Sequence, residues 1–430
     1  MQYDVIIVGA GAAGLSCART LIQGGARCLL LEARDRMGGR ISSVSTSPSS
    51  MIELGAEFIH GASPETLGLL ERHDFSFEDL TDHHLQKTKT GLSDVSSFWE
   101  RVGKINSLLR SDLTQDRSMQ NFIDAHKRKI SPFKDLYISY LEGFQAMDLR
   151  LAGELGMAES ENKQVQKLNS QSQFRPLPGY INVIEALFKE SGLKKNQIHF
   201  NREVQKIALR KKSLDVIAVH PKTHRKIKYS TSRVVLTVPI GVLKRSLVFE
   251  PAIPRLKKTL SVMEMGHALR ITFQFKTRFW EKLSTKPVAF LHGDSDDYFS
   301  TWWTQLPRRS PYLTAWQGGP KALELSFMSE QEQVSWALKT LSKITGEKLS
   351  ALKKNYVKHF THNWSQDPYS LGAYSYVGIQ KETSWEKLKQ PFHDAIYLAG
   401  EGLASGADRG TVTGAIKSGH QVALKVLKGL

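Results

Sequence analysis

Apolar and polar residues alternate along this chain in blocks whose lengths predict strands and helices in a defined order. Tyr3-Asp-Val-Ile-Ile-Val8 is a short apolar run with the length of a buried strand. It breaks into Gly9-Ala-Gly11-Ala-Ala13-Gly14, after which Leu15 to Gln23 has helical spacing. A second apolar run, Cys28 to Leu31, predicts another buried strand and ends on Glu32, eighteen residues after Gly14. Near the other end Ala395-Ile-Tyr-Leu-Ala399 predicts a strand, Gly400-Glu401 and a glycine-studded turn follow, and Thr411 opens a helix to about Leu427. Between these ends the pattern predicts a helical stretch from Pro64 to Gln173, strands at Arg270–Phe275 and Val288–Leu291, and a helix at Glu330–Ile344.

Strand, glycines, helix, strand and terminal acid in that order form a dinucleotide-binding signature. Gly9 allows the tight turn, Gly11 lets backbone approach a pyrophosphate, and Gly14 lets helix and strand pack closely. The helix N-terminus offers free N–H groups to phosphate, and Glu32 is placed to accept from ribose hydroxyls. The extension Glu32-Ala33-Arg34-Asp-Arg36-Met-Gly38-Gly39-Arg40 adds two glycines and three arginines. A nicotinamide site does not need it. A bound flavin does, because its pyrophosphate takes further cationic donors.

Composition narrows the class. A chain of 430 residues, 40% of them hydrophobic, buries a large core and predicts about two domains. No run approaches the roughly twenty apolar residues of a membrane span, and the N-terminal run is too short for a signal peptide. Cys17 and Cys28 are read as buried thiols rather than a disulfide or metal set, which predicts a reducing, cytoplasmic setting. The net charge of +17 concentrates in Lys206–Lys228, where Arg210-Lys-Lys212 and His224-Arg-Lys226-Ile-Lys228 flank alternating apolar residues. A basic, solvated β-meander protecting strand edges accounts for it, and without interleaved stacking aromatics no nucleic-acid partner is expected. The same field disfavours a polycationic substrate unless carboxylates stand close to it. No HExxH, GxSxG or CxxC pair is present.

Taken together, the two ends, Glu53-Leu-Gly55-Ala56-Glu57-Phe-Ile-His60-Gly61, Val234-Val-Leu-Thr-Val-Pro239 and Gly372-Ala373-Tyr374-Ser-Tyr376 resemble the flavin-containing amine oxidases over nearly the whole length. That family includes monoamine oxidases, polyamine and spermine oxidases, and lysine-specific histone demethylases. The resemblance implies an α/β fold: a discontinuous Rossmann-like FAD-binding domain (1–75, 176–260 and 388–430) carrying an inserted α+β substrate-binding domain (76–175 and 261–387). It implies noncovalent FAD, since Ala373 stands where monoamine oxidases place their flavin-linked cysteine. It also implies oxidation of the C–N bond of a primary or secondary amine by hydride transfer to flavin N5, with O2 as electron acceptor. The demethylases' helical hairpin is missing from the pattern, so no chromatin role is expected.

Residue by residue, the resemblance puts Gly55-Ala56-Glu57 beside the flavin ring, Val204 against the adenine and Trp364 near the ring. It puts Gly400-Glu401 on the flavin's sugar-alcohol chain and Thr411-Val412 at the ring's pyrimidine edge. Tyr374 forms one wall of an aromatic cage, with Thr411 in place of a second tyrosine. His60 matches a tunnel histidine of spermine oxidases. Arg270 falls where the family carries a lysine that holds a water at N5. It either holds that water, binds a substrate carboxylate as in an amino-acid oxidase, or leaves reaction with oxygen slow, as in a dehydrogenase; a slipped strand register pointing it elsewhere is the structural alternative. Glu57 and Asp148 are the candidate carboxylates for a second ammonium, with a structural ion pair as the alternative for either, and the insertions Asp82–Ser118 and Asp294–Arg309 shape the tunnel.

Overall fold

The computed structural model describes residues 3–47, 50–80, 83–95, 98–161, 172–380 and 383–430. Its architecture is set by two sheets. In the first, Cys28–Leu31, Tyr3–Val8 and the end of Lys226–Leu236 lie side by side in parallel, with Ile198–His199 beyond Cys28–Leu31 and Ile396–Leu398 beside Val234–Leu236. Both faces of these strands are covered, so they read as unbroken apolar runs. Val5 and Ile7 pack toward the helices Ala12–Gln23, Ile181–Ser191 and Val412–Gly429, whereas Ile6 and Val8 enter a second core with Leu236, Leu256 and Trp385.

The strand Lys226–Leu236 is long enough to serve two purposes. Its second half joins the parallel layer, and its first half pairs antiparallel with Leu214–Val219, which in turn pairs with Glu203–Leu209. This is the basic meander the sequence predicts. Lys206 pairs with Glu250, and Arg210 bridges Asp215 and Glu250 on the exposed side.

The second sheet runs in the order Tyr356–Thr361, Ala268–Phe275, Tyr312–Gly318, Thr301–Thr304, Phe290–His292, His84–Thr88 and Gly91–Asp94. It corrects the expectation of a wholly helical stretch from Pro64 to Gln173. Phe77–Asp79, His84–Thr88 and Gly91–Asp94 are strands, because the second sheet and the short strand Gln173–Pro176 offer them partners that local sequence does not reveal. The rest of that stretch contains short helices such as Phe98–Asn106, Met119–Ala125 and Glu154–Ser160. The strand expected at Val288–Leu291 is Phe290–His292, and Asp82, where one tunnel insertion was expected to start, lies outside the described residues. No helix among the described residues is long and apolar enough to cross a membrane.

The two chain ends meet. Gly419 lies against Ala13 so closely that a Cβ on it would stand 2.2 Å from the Ala13 carbonyl oxygen. Ser16 Oγ donates to the Ile416 carbonyl at 2.8 Å, and Thr20 Oγ1 and His420 Nδ1 share a hydrogen bond of the same length. Cys17 and Cys28 are free and buried.

Candidate functional site

A single cavity of about 570 Å³ runs from the first glycine turn to the second sheet. Most of the site residues singled out in the sequence line it; Gly14, whose place is between helix and strand, Arg36 and Asp148 do not. At one end, Ala12–Gln23 begins with no side-chain cap and no acid in its first turn, so its free N–H groups and dipole face an anion without competition. Gly11 and Gly39 leave the cradle open: a Cβ on Gly11 would have no neighbour closer than the Gly38 oxygen at 4.0 Å. Glu32, at the end of the second strand, is fixed by the backbone N–H groups of Ala10 (2.7 Å) and Arg34 (2.9 Å). Burial pushes its carboxyl pKa up despite those donors. The shape, the glycines and the donor set fit FAD.

The three arginines of the extension divide their roles, which corrects the reading of all three as phosphate donors. Arg36 ties its own loop together by donating to the carbonyls of Met37, Gly39 and Ile41, and is not among the cavity-lining residues. Arg34 lines the cavity but pairs with Asp367 at 2.6 Å and lies over Tyr369. Arg40 donates to Glu401 at 2.9 Å and to the Ala373 carbonyl, joining the extension to the far-end Gly-Glu pair. Glu401 also accepts from Ser375 Oγ at 2.8 Å. Trp364 anchors its indole N–H on the Leu54 carbonyl at 2.7 Å, and its ring would stand 3.2 Å from a Cβ on Gly55.

Arg270 reaches the cavity from Ala268–Phe275, so the alternative of a slipped register is set aside. Its terminal nitrogens are committed to the Gly55 carbonyl at 3.0 Å and to Glu57 at 2.6 Å. Glu57 also accepts from Arg175 through two nitrogens and from the Trp303 indole at 3.1 Å. Burial alone raises the Glu57 pKa, but the two guanidiniums outweigh it and hold the carboxyl below its ordinary value. Only Arg270 Nε is left without a partner, and no paired N–H edge remains for a substrate carboxylate.

Of the two readings open for each candidate carboxylate, this geometry favours the structural ion pair. Glu57 is consumed by two arginines, and Asp148 is held by Arg150 through two hydrogen bonds of 3.1 and 2.8 Å and does not line the cavity.

Beyond Tyr374 the cavity enters a closed belt of rings. Tyr374 donates its hydroxyl to the Phe144 carbonyl, and burial, with Glu401 nearby, keeps that phenol protonated by raising its pKa. Phe144 lies 5.7 Å from Trp99 and 6.5 Å from His292. His292 bonds to His84, whose ring stacks 4.4 Å from Phe290. Phe58 connects Phe290 to Trp303, and Trp303 meets Trp316, whose indole returns to the Gly143 carbonyl at 2.7 Å. His60 has an accessible side chain that faces this cavity, yet the surrounding protein lowers its pKa by desolvation, so it is held neutral. Thr411 caps the last helix through Gly414 N (3.0 Å) while donating to the Asp408 carbonyl (2.7 Å), and Val412 follows it into the lining.

Sequence reading missed Arg175 and most of the belt. Only Trp303 carried a readable signal. In Thr301–Thr304 strand alternation sends Trp302 into the core and Trp303 to the cavity.

Behind this wall lies Glu53, buried and accepting from Ser43 Oγ and Tyr180 N, each at 2.7 Å. Burial raises its carboxyl to about 7. A folded-state pKa above the unfolded value means its favourable contribution is full below the ordinary glutamate pKa and is lost as pH rises through 7. Glu53→Gln is therefore expected to leave stability at pH 4 nearly unchanged and to raise it at pH 8, on the order of 3 kcal/mol for a shift of this size. Denaturant unfolding at the two pH values checks this; equal effects at both would contradict it.

Comparison with known proteins agrees with this arrangement. The family model described as flavin containing amine oxidoreductase matches residues 12–427. Polyamine oxidase 4 of Oryza sativa subsp. japonica is 27% identical over 97% of this chain and 87% of its own. Probable polyamine oxidase 4 of Arabidopsis thaliana is 25% identical over 94% and 83%. Lysine-specific histone demethylase 1 homolog 3 of Arabidopsis thaliana is 25% identical over 99% of this chain, which spans 30% of that protein. Among solved structures, putrescine oxidase bound to putrescine superposes with a TM-score of 0.80 at 16% identity, covering 100% of this chain and 99% of that one. Cyclohexylamine oxidase from Brevibacterium oxydans superposes at 0.79 and 16%, over the whole of this chain.

Proposed function

Since the chain belongs to the flavin-containing amine oxidoreductases and is an FAD-dependent amine oxidase, we propose that it oxidises the C–N bond of a primary or secondary amine and that the resulting imine is released to water. The observation that carries this reading is the continuity of the cavity, in which the glycine-lined slot opens directly into the ring-lined arm. When bound, FAD supplies the acceptor for the hydride leaving the amine's α-carbon.

The chain's own residues do the rest. Tyr374 and the belt exclude water and orient the amine, and the helix opening at Thr411 directs its positive end to where negative charge develops. Arg175, Glu57 and Arg270 carry a net positive charge behind the wall, which favours the neutral amine that the reaction needs. Ala373 offers no thiol, so the flavin is held without a covalent bond.

O2 is the electron acceptor in this reading. One observation favours a second, in which another acceptor takes the electrons: both terminal nitrogens of Arg270 are tied, so no mobile cation stands at that wall. An anaerobic absorbance titration of the yellow protein with amines, polyamines and amino acids, followed by air, tests both. Amine-dependent bleaching with prompt recovery in air is expected. Bleaching without recovery selects the second reading, and no bleaching by any amine overturns the first.

A further inference from the structure

We infer that the substrate is a monoamine whose non-reacting end is a flat, ring-sized apolar group, and that the wall at His84, held in place by His292 behind it, selects it over diamines and polyamines. This inference rests on the amine-oxidation reading above.

Charge argues for it first. Of the four carboxylates lining the cavity among the described residues, Glu32, Glu203 and Glu401 belong to the glycine-lined slot, and only Glu57 stands at the belt. Two guanidiniums neutralise Glu57 and leave a net positive charge. Arg175 and Arg270 also lie 5.4 and 5.6 Å from the ring centres of Phe58 and Trp303, so those rings already serve cations of the protein. A second ammonium entering the arm would find no counter-ion and would face like charge.

Shape argues for it next. His84 Nδ1 and His292 Nε2 are 2.8 Å apart and the two ring planes differ by 1°, so the imidazoles lie edge to edge as one plate. A hydrogen bond between two ring nitrogens needs one donor and one acceptor, so the contact exists only while at least one nitrogen is unprotonated. Burial, and then His84, pushes the His292 imidazole down to about 3, so His292 adds no charge behind His84. Phe290 stacks on one member of the plate and Phe98 lies parallel to both. Such a wall matches an aryl or cycloalkyl group by stacking and presents no carboxylate to a second ammonium.

The test is rapid-mixing flavin reduction in the absence of air with benzylamine and 2-phenylethylamine against putrescine and spermine at equal concentration. The arylalkyl monoamines are expected to reduce the flavin at least tenfold faster. Faster or equal reduction by putrescine or spermine overturns this inference while leaving amine oxidation standing; reduction by none of the four overturns the reading beneath it. His292→Asp sets a carboxylate beside His84, and His84→Gln keeps a donor and an acceptor but removes the flat ring. In each, the benzylamine-to-putrescine rate ratio is expected to fall at least tenfold. An unchanged ratio in whichever variant retains flavin removes the pair as the selecting wall. If neither retains flavin, the wild-type comparison still decides the substrate class.

Discussion

Gly14→Ala is expected to give protein without flavin. A Cβ at this position would stand 1.9 Å from the Gly9 carbonyl oxygen and 3.0 Å from Thr237 Oγ1. The nearer atom is backbone, in the turn where Gly9 adopts φ of +108°, so no side-chain rotation relieves the contact. Thr237 Oγ1 in turn donates to the carbonyls of Val8 (2.8 Å) and Gly9 (3.1 Å), so the strand end is held from both sides. The helix must move off the strand, at a cost at or beyond the ~3 kcal/mol upper end of ordinary overpacking. That movement withdraws the free N–H groups of Ala12–Gln23 from the cavity. The ratio of flavin to protein absorbance after purification measures the effect. Gly103→Ala is the control, because a Cβ there meets nothing within 4 Å inside Phe98–Asn106 and is expected to keep full flavin content. A fully yellow Gly14→Ala protein would show that the turn tolerates a side chain and would remove its assigned role.

Glu57→Gln is expected to destabilise the protein by about 3–5 kcal/mol, the range for breaking a buried ion pair by removing one partner. The amide keeps the shape but leaves Arg175 and Arg270, each under 5% exposed, facing one another across a group with no charge. Neither guanidinium can neutralise itself by losing a proton. The loss is largest at neutral pH. Because the folded-state pKa of Glu57 is depressed, its contribution is present above the ordinary glutamate value and fades as pH falls through the folded-state value. Denaturant unfolding at pH 7 gives the comparison, with Arg270→Met as the milder partner, since Arg175 then still neutralises Glu57. Equal stability of Glu57→Gln and the parent would show that the arginines find other partners.

These two predictions differ in how far the sequence leads to them. Gly14 is legible because its neighbours Gly11 and Gly9 are three and five residues away and the physics of a strand–turn–helix is local. The parallel layer was legible for the same reason, as unbroken apolar runs between glycines. Arg175 was not. It meets Glu57 across 118 residues, through pairing of Gln173–Pro176 with Ile59–His60 that no periodicity announces. His84 and His292 are separated by 208 residues and become one plate only because His84–Thr88 and Phe290–His292 lie side by side. Arg270 lines the cavity. Its chemistry was set by partners on other strands, which closed off carboxylate binding.

The contact of Ala13 with Gly419 has a consequence for the life of the chain on the ribosome. The glycine turn that shapes the flavin slot is synthesised roughly 400 residues before the helix that braces it. At roughly 5–20 residues per second, tens of seconds separate the two. The nascent strand and helix therefore emerge with an apolar flank uncovered, in need of shelter, and the slot reaches its final form only once residue 419 has cleared the exit tunnel. Cofactor capture on this slot accordingly waits for the bracing helix rather than guiding the turn that comes before it.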